Sequence, residues 1–200
     1  RHVTLGHAPL ILPERRSVYW NTGLNHRWYL PDFTLQYQVQ YKHSLNRFGA
    51  LPVTEKKLKP TRQLMAETTL TVPFRLASQP FYYEGVMRGF INADKADEMD
   101  YESLSGRYSV RGYPFSHSMS AARAFISRNE VVWQQVLPGH NLYLAADAGL
   151  PGAKISGGAR SHSLAGTEIG MKGVYKSLSY QVFAGLPLKE AERVRAFSPA

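Results

Sequence analysis

Few residues in this chain are of a type and spacing that could do chemistry. Arg111 lies in Val110-Arg111-Gly112-Tyr113, inside a long polar loop, and Asp147 stands at the end of the alternating segment Asn141 to Ala148. A guanidinium and a carboxylate in adjacent elements can form a two-pronged ion pair, a grip that the planar fork of arginine makes and lysine cannot match. Gly112 lets the backbone turn sharply behind the arginine. Parity puts Asn141, Tyr143, Ala145 and Asp147 on one face and the apolar Leu142, Leu144 and Ala146 on the other. The loop from Asn92 to Ala121 is long enough for its tip to fold back onto Asp147. Other chemistry is sparse. The chain has no cysteine, which excludes a disulfide framework and thiolate metal sites. The histidines His2, His7, His26, His43, His117, His140 and His162 lack metal-ligand spacing. No Gly-x-Ser-x-Gly elbow and no phosphate loop occur. Gly157-Gly158 suits a turn better than a phosphate. Ser116-His117-Ser118 is the one hydrolase-like triplet, and it lies in a loop. No catalytic residue, metal ligand or cofactor is assigned, and the chain does not read as an enzyme.

The elements that must position Arg111 and Asp147 are strands. Thr34 to His43 alternates Leu35, Tyr37, Val39 and Tyr41 against Gln36, Gln38, Gln40 and Lys42, the period of two of a strand with one apolar face. Ser17 to Trp28, Ala66 to Arg75, Phe81 to Ile91, Arg123 to Trp133, Asn141 to Ala148, Ala165 to Met171 and Leu178 to Leu186 repeat it. A partial strand is expected around His2 to Gly6, and no segment has a helical period.

These strands run to about 9–12 residues, where soluble strands average about 5–6 and a bilayer crossing needs about 9–11. Connections alternate in length. Tyr29 to Phe33, Leu76 to Pro80, Gln134 to Asn141 and Val174 to Lys176 are short; Asn46 to Thr61, Asn92 to Ala121 and Leu150 to Ser161 are long. Short turns at one end and long loops at the other mark an outer-membrane barrel. Trp28, Phe33, Phe74, Phe81 and Trp133 gather beside the short turns, where an aromatic girdle belongs. The charges at strand centres fall on the face opposite the apolar one; on the lipid side each would cost about 2–4 kcal/mol. A soluble sandwich or lipocalin-like barrel would show the same alternation with its apolar face inward. Strand length and loop alternation favour the membrane. The loops around Leu58 and Gly157 should then face the cell surface, with Pro31, Gln79 and Gly139 in the periplasm. The formal net charge of +9 is spread along the chain with no run of five basic residues, so nucleic acid is not the expected partner. The N-terminus does not read as a signal peptide, and the chain starts and stops mid-pattern, as a fragment would.

Leu104-Ser105-Gly106-Arg107-Tyr108-Ser109-Val110-Arg111-Gly112-Tyr113 resembles the signature loop of the TpsB family of two-partner secretion transporters. Ser127-Arg128-Asn129-Glu130 resembles the family's Arg-Asn-Glu on the next strand. Leu144-Ala145-Ala146-Asp147-Ala148-Gly149 resembles the strand that ends in an aspartate, and Leu164-Ala165-Gly166 and Phe183-Ala184-Gly185-Leu186-Pro187-Leu188 resemble the two after it. Ser105 departs from the glycine of many members, Ser120-Ala121-Ala122-Arg123 from a commoner Asp-Arg-Gly run, and Ala145 from Gly or Phe. The resemblance implies an all-β fold, the C-terminal part of a sixteen-stranded antiparallel barrel in the outer membrane of a Gram-negative bacterium. Residues 1–200 would form partial barrel wall, with POTRA domains, first strands and last strand outside this chain. It implies a signature loop of Val110, Arg111, Gly112 and Tyr113, a lumen partner in Asp147, and support from Gly106, Arg128, Asn129, Glu130 and Gly149. The implied partners are a secreted TpsA-type exoprotein (adhesin, haemolysin or toxin) and outer-membrane lipid with lipopolysaccharide. A BamA-like insertase shares the tetrapeptide and the aspartate and stays open as an alternative. An outer-membrane hydrolase using Ser116 or Ser118 with His117 stays open as another.

Overall fold

The computed structural model describes residues 3–5, 8–10, 18–45, 61–92, 100–113, 119–152 and 163–189. Two three-residue strands, β1 (Val3–Leu5) and β2 (Ala8–Leu10), pair with each other. The partial strand expected near the N-terminus is thus half of a small hairpin and not part of the main sheet. That sheet is built from β3 (Val18–Tyr29), β4 (Thr34–Leu45), β5 (Arg62–Leu76), β6 (Gln79–Asn92), β9 (Arg123–Leu137), β10 (His140–Pro151), β11 (Leu164–Tyr175) and β12 (Leu178–Lys189). Two short strands, β7 (Glu102–Ser103) and β8 (Ser120–Ala121), pair inside the connection between β6 and β9. Spatial order in the main sheet is β3-β4-β5-β6-β9-β10-β11-β12, antiparallel throughout, so sequence neighbours are spatial neighbours. No α-helix occurs among the described residues.

Each of the eight expected wall strands is present, and each extends past its alternating core. Ala77 and Ser78 both take positive φ, 46° and 65°, the twist that a two-residue hairpin needs. The connection expected from Gln134 to Asn141 is shorter than the residues suggested: only Pro138 and Gly139 separate β9 from β10. Alternation fails there because the register shifts between His140 and Leu142. Gln135 enters the left-handed region at φ 52°, and its freed N–H donates to the Asn141 side chain at 2.9 Å.

Burial decides which face is which. On β10, Tyr143, Ala145 and Asp147 are at most 4% exposed, while Leu144 between them is 59% exposed. On β11, Glu168 is buried and Ile169 exposed. A soluble sheet would bury Leu144 and Ile169 and leave Asp147 and Glu168 in water. The reversed arrangement suits a wall with lipid outside and a polar interior. Beside the short turns, Phe74 stacks on Phe81 at 5.5 Å and Phe81 on Trp133 at 5.7 Å, one aromatic per strand across three strands. Trp28 packs on Tyr37 at 5.5 Å on the same outward face.

Candidate functional site: a loop tip locked onto the inner wall

The segment 100–113 folds back onto the inner wall, Asp100 and Glu102 against β3, β5 and β6 and residues 104–113 against β9 to β12, and its own shape starts with local hydrogen bonds. Val110 N–H donates to the Leu104 carbonyl at 2.9 Å, Ser109 N–H to Gly106 at 3.0 Å, and Gly106 N–H to Val110 at 3.0 Å. Gly106 has φ +116°, a conformation open to glycine and strained for other residues. Ser105 uses its hydroxyl to accept the Met119 N–H at 2.9 Å, a bond that glycine at this position would not provide. The knot turns Leu104 and Val110 onto Ala124, Ile126 and Leu164 of the wall, with Met119 and Ala121 closing the cluster. A small apolar core inside a polar lumen therefore holds the loop, and the ion pair next to it is desolvated.

Arg111 and Asp147 meet there. Arg111 Nε donates to Asp147 Oδ2 at 2.7 Å and Nη2 to Oδ1 at 2.9 Å, the two-pronged geometry; the Arg111 backbone N–H adds a bond at 3.1 Å. The Asp147 side chain is 0% exposed and that of Arg111 4%. Arg111 Nη1 reaches Glu130 Oε2 at 2.6 Å, and Glu130 Oε1 takes Lys172 Nζ at 2.6 Å. Two cations and two carboxylates thus alternate along one chain of contacts, which offsets the cost of burying each charge. Burial opposes the charged guanidinium of Arg111. The hydrogen bond and charge of Asp147, then those of Glu130, outweigh it and raise its pKa above the ordinary arginine value.

Glycines let the loop lie directly on the sheet. A Cβ on Gly166 would stand 1.9 Å from the Arg111 carbonyl oxygen, and one on Gly149 would stand 2.8 Å from Val110 Cγ2. Gly112, at φ +89°, could carry no side chain because Leu186 O is 2.5 Å from its Cβ position. A Cβ on Gly185 would stand 3.1 Å from Gly112 Cα. Next to them the Tyr113 hydroxyl sits between the Ala165 carbonyl at 3.0 Å, the Ala165 N–H at 3.2 Å and the Lys189 carbonyl. The β11–β12 register breaks there, between Ala165 and Gly166, and Pro187 has no N–H to offer. Tyr113 occupies the gap in the ladder.

A family model described as haemolysin secretion/activation protein ShlB/FhaC/HecB matches residues 5–173. The chain belongs to this family. It is similar to the outer membrane transporter CdiB-2 of Burkholderia pseudomallei (strain 1026b), 24% identical over 182 residues, which cover 87% of this chain and 31% of that protein. Its fold matches CdiB from Acinetobacter baumannii with a TM-score of 0.79 and 24% identity, over 94% of this chain and 33% of the other. CdiB from Escherichia coli matches with a TM-score of 0.77 and 22% identity, over 94% and 36%. The chain therefore spans about a third of the length of these relatives.

In this family member the expected site residues divide into two groups. Gly106, Val110, Arg111, Gly112, Tyr113, Glu130, Asp147 and Gly149 come together at the docked loop. Arg128 points inward on β9, in register with Asp147, but its Nε is buried without a hydrogen-bond partner among the described residues. Asn129 points to the other face. Its side chain accepts the Tyr83 hydroxyl at 2.7 Å and donates to the Ala146 carbonyl at 3.1 Å, so only its backbone serves the site, with N–H 3.2 Å from Asp147 Oδ1. Lys172, Gly166 and Gly185 were not among the expected residues. Their inward parity on β11 and β12 was a usable signal, since an inward glycine marks where a backbone can approach. A second inward group joins the Tyr143 hydroxyl to Glu168 at 2.7 Å and to Gln181 at 2.8 Å. Ser116, His117 and Ser118 lie outside the described residues, as do Leu58 and Gly157. The charged groups of the docked loop bind one another, with no nucleophile and base in hydrogen-bond contact among them.

Proposed function

We propose that the whole protein is an outer-membrane transporter that carries a large partner exoprotein from the periplasm to the cell surface through the barrel lumen. One observation carries the reading. A loop rooted at the long-loop end of the wall lies against its inner face, tethered by a buried ion pair; docked there it narrows the path, and its release would open it. A polar inner wall solvates an extended chain in transit, and folding outside supplies direction without a nucleotide. Membership in a secretion/activation family supports the same reading. The net charge of +9 is then mainly lumen and loop charge. The work is conduction rather than catalysis, and it takes place in the outer membrane, with lipid and lipopolysaccharide around the apolar face. POTRA domains ahead of the barrel would select the partner, by pairing with an extended segment of it.

Exchange of residues 1–188 for the same region of a relative, with the rest of the protein kept, tests this assignment. Secretion of the original partner, measured as protease-accessible antigen on intact cells, should persist with the original preference. A switch of cargo would place specificity in the wall. Loss of other outer-membrane barrels in a deletion strain, with secretion intact, would assign the chain to insertion instead.

A further inference from the structure

The outward face carries a charge asymmetry that the lumen reading does not use. Register places on that face the alternate residues of all eight wall strands. Among the described residues they include no Asp or Glu, and Arg or Lys only at Arg62, Arg123 and Lys189. All three stand at strand ends on the long-loop side. Arg62 begins β5, opposite His43 of β4, which itself lies opposite Trp20 of β3. Arg123 begins β9, opposite Ile91 of β6. Two strand spacings and a two-residue offset separate Arg62 from Arg123, roughly 12 Å between Cα atoms.

Below Arg62, and beside and below Arg123, is an apolar shelf. Leu64 lies opposite Ile91 on adjacent strands, and Phe125 is one outward position below Arg123. Leu64, Ile91 and Phe125 are each more than 40% exposed. The shelf spans three strands, about 10 Å, enough for more than one acyl chain side by side. Cations over an apolar shelf match an amphiphile with an anionic head and several tails. The long-loop end faces the cell surface, and the membrane-surface ligand of that chemistry is a phosphorylated glycolipid. We propose that Arg62 and Arg123 bind the phosphates of a lipid A-type glycolipid, with its acyl chains on Leu64, Ile91 and Phe125. The proposal rests on the outer-membrane reading above and names the residues that make the contact. A guanidinium suits the task because its fork takes two phosphate oxygens at once.

Native mass spectrometry of the full-length transporter in detergent, titrated with diphosphoryl lipid A, tests it. The pair Arg62→Gln with Arg123→Gln should weaken binding by about tenfold, and the Lys pair by clearly less. Arg123→Gln alone should fall between wild type and the Gln pair. Phosphatidylglycerol should bind the wild type more weakly than lipid A and respond little to the substitutions. Equal lipid A binding by wild type and the Gln pair would overturn the proposal. So would phosphatidylglycerol binding as tightly as lipid A, which would make the rim a general phosphate surface. A separate measurement addresses the underlying reading: a fluorophore on Ile91→Cys should be quenched by spin-labelled lipid in vesicles. Quenching with unchanged lipid A binding overturns the rim site alone; absence of quenching overturns the lipid-facing assignment itself.

Discussion

Substitution of Gly166 by alanine probes how closely the loop depends on the wall. The new Cβ would be 1.9 Å from the Arg111 carbonyl oxygen, where an ordinary contact begins at 3.4 Å. The obstructing atom is backbone on both sides, so no flexible side chain can swing away. Arg111 must retreat by about 1.5 Å, and its side-chain bonds to Asp147 start at 2.7 and 2.9 Å. A shift of that size takes them beyond hydrogen-bond range. Breaking a buried pair costs about 3–5 kcal/mol, because each charge is left without its partner in a dry site. At about 1.4 kcal/mol per factor of ten, the docked state should lose at least a hundredfold in relative population. Docking can be read from Val110→Cys, since Val110 is fully buried in the docked loop. The expected result is slow labelling by a thiol reagent in the Val110→Cys background and much faster labelling when Gly166→Ala is added. Partner secretion should fall while heat-modifiable mobility shows an assembled barrel. Gly89→Ala is the control, because a Cβ there meets nothing within 4 Å. Unchanged protection and full secretion in Gly166→Ala would refute the idea that this contact positions the loop.

Arg111→Ala and Asp147→Ala should each leave the barrel assembled and lower secretion, and the double variant should be little worse than either, since both remove one interaction; full secretion by Arg111→Ala at normal barrel levels rules the role out. Arg111→Lys should rescue only in part, because an ammonium cannot hold both carboxylate oxygens of Asp147 in the observed geometry. Tyr113→Phe removes the hydroxyl that bridges the β11–β12 register break, at a cost of about 1 kcal/mol, and hydrogen exchange at the Ala165 amide should speed up by several-fold. Single cysteines at Leu58 and Gly157 should label with an impermeant reagent on intact cells, whereas those at Pro31, Gln79 and Gly139 should not; the reverse pattern would invert the topology.

The sequence by itself determined the strands and their faces. Alternation in Thr34 to His43 or Asn141 to Ala148 follows from the two-residue period of an extended backbone, a local property that needs no knowledge of the partner strand. It also placed Asp147 on the inward face and Arg111 in a loop of sufficient reach. Alternation failed where the backbone left the regular period. The bulge at Gln135 hid the true ends of β9 and β10 because one left-handed residue resets parity. Which face met lipid was settled by burial, since the same period serves a soluble sheet with the opposite sense.

Only the tertiary structure decided how the loop is held. The chain of contacts from Asp147 through Arg111 and Glu130 to Lys172 joins residues 19 to 42 positions apart in sequence, on three strands and a loop. Nothing in the spacing of those residues encodes that meeting, because strand register and loop path set it together. Asn129 makes the same point from the other side: it lies between Arg128 and Glu130 in sequence, yet the pleat sends its side chain through the wall to Tyr83. Gly166 and Gly185 read in sequence as ordinary strand glycines. They become the bed of the loop only once the backbone of Arg111 and Gly112 lies across them, because the absence of a side chain matters where another backbone takes its place.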